Sequence, residues 1–334
     1  MTRDGTGGNP SVGSTAERED VRALPRYLDL PAGPAGGRQA WHLFGDDDDL
    51  GLLNLLTPEV VVAAARLVRR GAVFPLNAPV DLFGPGPFLP RGAPRRHVRT
   101  LRTAAVTGLD DVLDNFYPQA SSQWDSLAHI SADQERFYNG VTRDEIDRGR
   151  NTVDHWARRG IVGRGVLLDL AVGAGDDPGS AHAFTVTDLE RAREAAGITL
   201  RTGDILVLHT GFAAWYARQT PERRARIPHD LAAPGLEHSE AVCAYLWDAH
   251  VAAVASDTLA VEVMPADHSA AAAPFGFLHQ TLIGCFGMAL GELWWLADLV
   301  ADCHQDGVHE FLLASAPAHI PGGVASPANV LAVK

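Results

Sequence analysis

From Gly165 onward the chain alternates strand-like and helix-like segments, and this alternation limits the possible fold more than any other feature of the sequence. Val166 to Leu170 and Ile205 to His209 read as strands, because short apolar runs end there in turn residues. Thr187 to Ala196 reads as a helix. Thr187 and Glu190 stand three apart ahead of an apolar-periodic stretch that stops at Gly197, which is the pattern of a capping box. A second helix is expected from Leu236 to Ala249 and a further strand from Val251 to Ala255. That order of elements specifies an α/β fold.

Upstream the signals are more local. Thr57 can cap a helix, Pro58 suits its first position and Gly71 can end it, so a helix is expected over about Pro58 to Arg70. Ahead of it lies the acidic run Asp46 to Asp49. The run lacks the alternating ligand spacing and closing glutamate of a calcium loop, and reads as a solvated turn. Phe83 to Arg96 holds four prolines and three glycines and reads as an irregular arm.

Bulk properties set outer limits. Residues 1–25 are rich in glycine, serine, threonine and charge and lack an apolar stretch suited to a signal peptide, so a disordered tail is expected there, with residues 26–334 as one domain. At 46% hydrophobic residues the chain can bury a large core without disulfides. Its three cysteines form no CxxC pair, which argues against a disulfide framework and against a cysteine-rich zinc module, and points to a reducing, cytoplasmic setting. No run of about eighteen apolar residues is present to span a membrane. A formal charge of −13 repels nucleic acid, and suits either solubility or a cation site.

Three groups of residues offer chemistry. In Gln119 to His129 (QASSQWDSLAH), Gln119, Gln123, Asp125 and His129 supply oxygen or nitrogen among apolar neighbours. Either they form an inward-facing polar site, or Asp125 caps a turn and His129 is a hydrogen-bonded core residue. His279 and Glu292 are among very few ionisable groups in FLHQTLIGCFGMALGELWW. A buried carboxylate without a partner is expensive, so Glu292 must pair with a cation or bind a metal. Ser256-Asp257-Thr258 with Glu262, and His209-Thr210-Gly211, each follow a predicted strand, where α/β proteins commonly place a site; each is equally suited to a turn. No GxSxG elbow, Walker A loop or GxGxxG motif is present, and the glycine-rich Val172 to Gly179 lacks the third glycine of a nucleotide fold.

On these residues the chain resembles the cyclase family of metal-dependent hydrolases, which includes kynurenine formamidase, isatin hydrolase and trans-dienelactone hydrolase. Gln119 to His129 lies without a gap on the family signature His-x-Gly-Thr-His-x-Asp-x-Pro-x-His. WHLFGDDDDLGLLNLLTPE, Thr210 to Phe212, Ser256 to Pro265 and Pro317 to Asn329 also look like family segments. Gln119 and Gln123 stand in place of two metal-binding histidines, Ser121 and Ser122 in place of Gly-Thr, and Leu127 in place of proline, a pattern similar to a branch with a QWD core.

The resemblance implies a single-domain α/β fold of the swivelling β/β/α type, and a homo-oligomer, dimer or tetramer. It implies one divalent metal, zinc or manganese, with Gln123, Asp125, His279 and Glu292 as ligands and His129 as the catalytic proton carrier. Amide oxygen in place of imidazole makes one metal more natural than two. Gln119, Trp124, Thr210, Asp257 and Glu262 are the expected substrate contacts, and Phe137, Tyr138, Trp215 and Phe275 further candidates for an aromatic pocket. The implied reaction is hydrolysis of an amide, lactone or ester bond in a small cyclic or aromatic substrate. Two alternatives stay open: a metal-dependent cyclase, isomerase or dehydratase without net hydrolysis, and a catalytically silent binding protein of the same fold.

Overall fold

In the computed structural model, residues 24–84, 91–172 and 177–334 are described. The expected tail, residues 1–25, therefore lies almost wholly outside the described residues, as does the centre of the Val172 to Gly179 stretch.

The strands follow in order: β1 (Val73–Pro75), β2 (Arg95–Arg102), β3 (Thr107–Asp114), β4 (Gln123–Asp125), β5 (Ile161–Asp169), β6 (Ala183–Phe184), β7 (Ile205–His209), β8 (Gly235–Leu236), β9 (Ala253–Ser256), β10 (Ala289–Glu292), β11 (Glu310–Ser315), β12 (Ala325–Pro327) and β13 (Val330–Val333). Nine of them form one sheet in the order β1-β13-β11-β5-β7-β9-β10-β4-β12. Its centre, β5-β7-β9-β10, is parallel, and antiparallel strands continue it on both sides. The central strands are buried along their length, as parallel strands covered on both faces must be. The α/β expectation holds.

Local boundaries shift where tertiary pairing competes with local signals. The first long helix runs only from Pro58 to Ala65, capped by Thr57 as expected. It stops short of Arg70 because the amides of Arg70 and Ala72 both pair with the Lys334 carbonyl, which draws the chain into the sheet edge. The helix expected from Thr187 spans Val186–Ala195, and its capping box is Thr185 with Asp188 rather than Thr187 with Glu190. Glu190 instead accepts from Arg193 and from Tyr245 Oη. The helix expected from Leu236 starts at Glu240 with Ser239 as its cap, since Gly235 and Leu236 pair with β6. In the acidic run only Asp46 and Asp47 face solvent. Asp48 accepts from the Leu50 and Gly51 amides and from Asn54, and Asp49 accepts from Arg150 and the Asn151 amide.

The centre of the expected irregular arm, residues 85–90, lies outside the described residues, and its last two residues, Arg95 and Arg96, already belong to a hairpin in which, among the described residues, β2 and β3 pair only with each other. Among the described residues no helix is long and apolar enough to cross a membrane.

A candidate metal centre on strands β4 and β10

β4 has three residues, all buried, and the two-residue period of a strand sends Gln123 and Asp125 to one face and Trp124 to the other. Antiparallel pairing with β10 sets Gln123 beside Glu292 and Asp125 beside Leu290. On the other side of β10, parallel pairing of Gly291 with Ala255 leads directly to Ser256 beside Glu292. Ser256, Glu292 and Gln123 thus form one row across three strands, with Asp125 one step behind. His279 enters from the loop before β10, as the residue flanking a π-helical turn over Gln280–Cys285, a local winding that recurs at functional sites.

These side chains converge. Asp125, His279 and Glu292 each offer a ligand atom within 4.8 Å of the others, and all three are buried. His279 Nε2 lies 2.8 Å from Glu292 Oε1 and 4.0 Å from Asp125 Oδ2. Its other nitrogen, Nδ1, is 2.8 Å from both oxygens of Glu262, itself fully buried. Gln123 Nε2 donates to Glu292 Oε2 at 2.7 Å and to Asp125 Oδ2 at 3.2 Å. His129 stands at the edge, with Nε2 3.8 Å from Asp125 Oδ1 and Nδ1 3.5 Å from Gln119 Nε2.

The cluster carries more buried negative charge than its own groups neutralise. Burial and the nearby Asp125 push the Glu292 carboxyl up to about 7. Burial alone would lower His279, but Glu262 and Glu292 outweigh it and hold the imidazole well above its usual value. Glu262 is raised by burial and lowered by the charge and hydrogen bond of His279, and ends below the usual carboxylate value. His129 is lowered by burial, with Asp125 opposing and His279 and Arg91 adding to the depression, so it is neutral near pH 7.

Gln123 Oε1, Asp125 Oδ1 and the Ser256 hydroxyl are buried without a hydrogen-bond partner. Unsatisfied buried oxygens on a carboxylate and an amide, beside a second carboxylate and an imidazole nitrogen, fit a divalent cation.

Not every expected residue joins this cluster. Trp124 is fully buried on the opposite face of β4, where its indole donates to Ser315 Oγ and packs edge-on to Trp294 at 4.9 Å. It is a core residue and not a substrate contact. Glu262 has both carboxylate oxygens on His279 Nδ1 and is fully buried. Thr210 donates both its amide and its hydroxyl to Asp257 Oδ1 at 2.6 and 2.8 Å, which ties the ends of β7 and β9 together. By the same alternation Asp257 and His209 face away from Glu292. Tyr138 is buried with its hydroxyl on Asp48, and Phe137 packs beside Ala128 and Val141.

Two neighbours of the site are missing from the sequence reading. Phe277 is half-buried and stacks on the His279 ring at 4.7 Å and 4°; its alternation with His279 in FLHQ is the signal that points to it. Arg91 donates to the Gln119 carbonyl at 2.7 Å, and nothing in its proline-rich surroundings marks it.

Comparison with known proteins places this geometry among relatives. A family model described as Cyclase matches residues 74–263. Among solved structures, one described as a novel cyclase is 34% identical, covers 89% of this chain and 99% of its own, and superposes with a TM-score of 0.79. Isatin hydrolase A from Ralstonia solanacearum is 18% identical, covering 83% of this chain and 97% of its own at a TM-score of 0.56. Isatin hydrolase A from Labrenzia aggregata, bound to benzyl benzoate, is 16% identical, covering 80% and 94% at 0.54. The two isatin hydrolases share the fold with this chain. A search of curated proteins finds no match.

Proposed function

The chain belongs to the cyclase family, and from that premise we propose that it is a metal-dependent hydrolase that cleaves an amide, lactone or ester bond in a small cyclic or aromatic compound. The observation that carries this reading is the convergence of Asp125, His279 and Glu292 within 4.8 Å, with buried oxygens of Asp125 and Gln123 left unsatisfied. A zinc or manganese ion held there would supply Lewis acidity, which polarises a carbonyl and makes water a competent nucleophile near neutral pH.

The protein's own groups do the rest. Glu262 binds His279 at Nδ1 and so would leave Nε2 free to hold an ion, the usual way a carboxylate fixes a ligating imidazole. Asp125 and Glu292 supply anionic oxygen, and Gln123 can add its amide oxygen by turning over. His129, neutral and at the rim, takes the proton from the attacking water and returns it to the leaving nitrogen or oxygen. Phe277, stacked on His279, offers a flat apolar wall suited to an aromatic or cyclic acyl group. Isatin hydrolases among the structural neighbours act on a compound of that shape.

Metal analysis of protein purified without chelator tests the reading, followed by stripping, add-back of zinc or manganese, and assay against aryl amides, lactones and esters with product mass as the readout. Hydrolysis adds one water to the substrate mass. A single product of unchanged mass, or one lighter by a water with no second fragment, favours the cyclase, isomerase or dehydratase alternative.

One observation favours the silent binding protein. Gln123 Nε2 already bridges both carboxylates as an internal donor. A protein that takes up no metal on add-back and turns over no substrate establishes that reading and overturns ours.

A further inference from the structure

The row formed by Ser256, Glu292 and Gln123 across β9, β10 and β4 holds two polar groups whose hydrogen bonding does not match their burial. Ser256 is only 1% exposed, yet its hydroxyl has no hydrogen-bond partner. Gln123 is fully buried with its amide nitrogen bonded and its amide oxygen left over. An orphaned buried hydroxyl is costly, and an alanine would fill the same space without that cost. Thr258 carries another such hydroxyl, but it lies past the end of β9 and outside the row.

The Gln123 amide shows when the Ser256 hydroxyl would be needed. Its nitrogen directs one N–H to Glu292 Oε2 at 2.7 Å and the other to Asp125 Oδ2 at 3.2 Å. Those hydrogens carry partial positive charge, so in this orientation they repel a cation from the oxygens that would bind it. Half a turn of the amide exchanges nitrogen for oxygen with little change of shape and offers the ion a further oxygen ligand.

The same turn takes a donor away from Glu292. Its other oxygen, Oε1, lies 2.8 Å from His279 Nε2, and an imidazole nitrogen that gives its lone pair to a metal can no longer donate a hydrogen bond. A Glu292 that holds an ion therefore loses both of the donors it has here, although ligating carboxylates are ordinarily hydrogen-bonded themselves. Ser256 stands beside it on the same face of the next strand, at a spacing of about 4.8 Å, with an O–H to spare.

We propose that Ser256 is a positioning residue of the metal centre, whose hydroxyl donates to Glu292 when Gln123 turns its amide oxygen to the ion. This rests on the metal-dependent reading above. The exchange needs only side-chain rotations, and no strand moves.

The full-length chain, stripped with chelator, is titrated with zinc and separately with manganese against a metal-sensing dye, and is unfolded in urea without metal. Ser256→Ala is expected to weaken affinity for the ion by about 10–100-fold, while the urea midpoint of the stripped protein stays at the wild-type value or rises. A merely structural serine gives the reverse, a lower midpoint with unaltered affinity. Gln123→Ala adds a reading that needs no metal. With the amide gone, Glu292 is open to Ser256 in the stripped protein, so Ser256→Ala, silent alone, is expected to lower the midpoint when combined with Gln123→Ala. A Ser256→Ala protein that binds the ion as tightly as the wild type overturns this inference alone, as does a lowered midpoint for that variant by itself or no added loss in the double variant. A wild type that takes up neither ion overturns the proposed function and this inference together.

Discussion

Both carboxylate oxygens of Glu262 lie 2.8 Å from Nδ1 of His279, which leaves Nε2 as the ring nitrogen turned toward Asp125 and Glu292. Replacing this carboxylate with an amide of the same shape keeps the space filled but removes the charge that fixes ring orientation and proton position. Glu262→Gln is therefore expected to weaken metal affinity by about 10–100-fold, the usual effect of losing such a partner, while the fold is retained. Competitive titration with a metal-sensing dye reads the change. Unaltered affinity would place Glu262 outside the metal centre's support.

His129 and Asp125 are separated by 3.8 Å and should fail in different ways. His129→Ala removes a proton carrier and is expected to lower kcat by about 10²–10⁴-fold while metal content stays near that of the wild type. Asp125→Asn removes an anionic ligand and is expected to lower both. Metal content and steady-state rates on the same preparations separate the two, and a His129→Ala enzyme with wild-type kcat removes that residue from catalysis.

How far the sequence discloses this site depends on what kind of information each residue needs. Asp125, His279 and Glu292 are legible because isolated ionisable groups in apolar segments must be partnered when buried. The role of Glu262 is not, since which carboxylate meets the second imidazole nitrogen is decided by where the loop before β10 crosses the end of β9. Trp124 is misread for a simpler reason: a three-residue strand is too short to show its alternation, and only pairing with β10 reveals which side faces the site. The central parallel strands show themselves as apolar runs. The hairpin is hidden because, among the described residues, its strands are exposed at every position but Val112, and they carry no hydrophobic period. Thr185 and Thr187 both precede an acidic residue three places on, and the Val186–Ala195 helix is capped by the earlier pair, Thr185 with Asp188.

Trp124 now supports a prediction about stability. With its ring fully buried against Trp294 and its indole nitrogen donating to Ser315 Oγ, Trp124→Ala leaves a cavity and removes one of the two hydrogen bonds of the Ser315 hydroxyl, which still donates to the Ala328 carbonyl. The expected cost is about 3–5 kcal/mol, visible as a lower midpoint in urea unfolding. KM for any substrate should be unchanged in the fraction that stays folded. A variant of wild-type stability with a raised KM would return Trp124 to the substrate pocket.

The last prediction concerns pH and lies on the other face of the sheet. Asp169, at the end of β5, is hydrogen-bonded to His209 Nδ1 at 2.7 Å and lies 2.8 Å from His304 Nε2, while Asp257 Oδ2 stands 4.0 Å from His209 Nε2. Burial lowers the His209 pKa, but the Asp169 hydrogen bond and the Asp257 charge outweigh it and raise it above 6.5. Burial raises Asp169, but His209 and His304 hold it below 3.8. For a raised histidine the stabilisation is complete below its unfolded value and fades as pH climbs through the folded one. For a lowered aspartate it is complete above the unfolded value and fades as pH falls through the folded one. The pair therefore contributes most between about pH 4 and pH 6.5. His209→Asn should cost on the order of 1.5–3 kcal/mol near pH 6, the range for hydrogen bonds to charged groups, and less as pH is raised toward 9, because the contribution fades as pH climbs through the folded value of the imidazole. Urea unfolding of both proteins at the two pH values decides it, and a difference that does not shrink at pH 9 means His209 acts through packing and not through its charge.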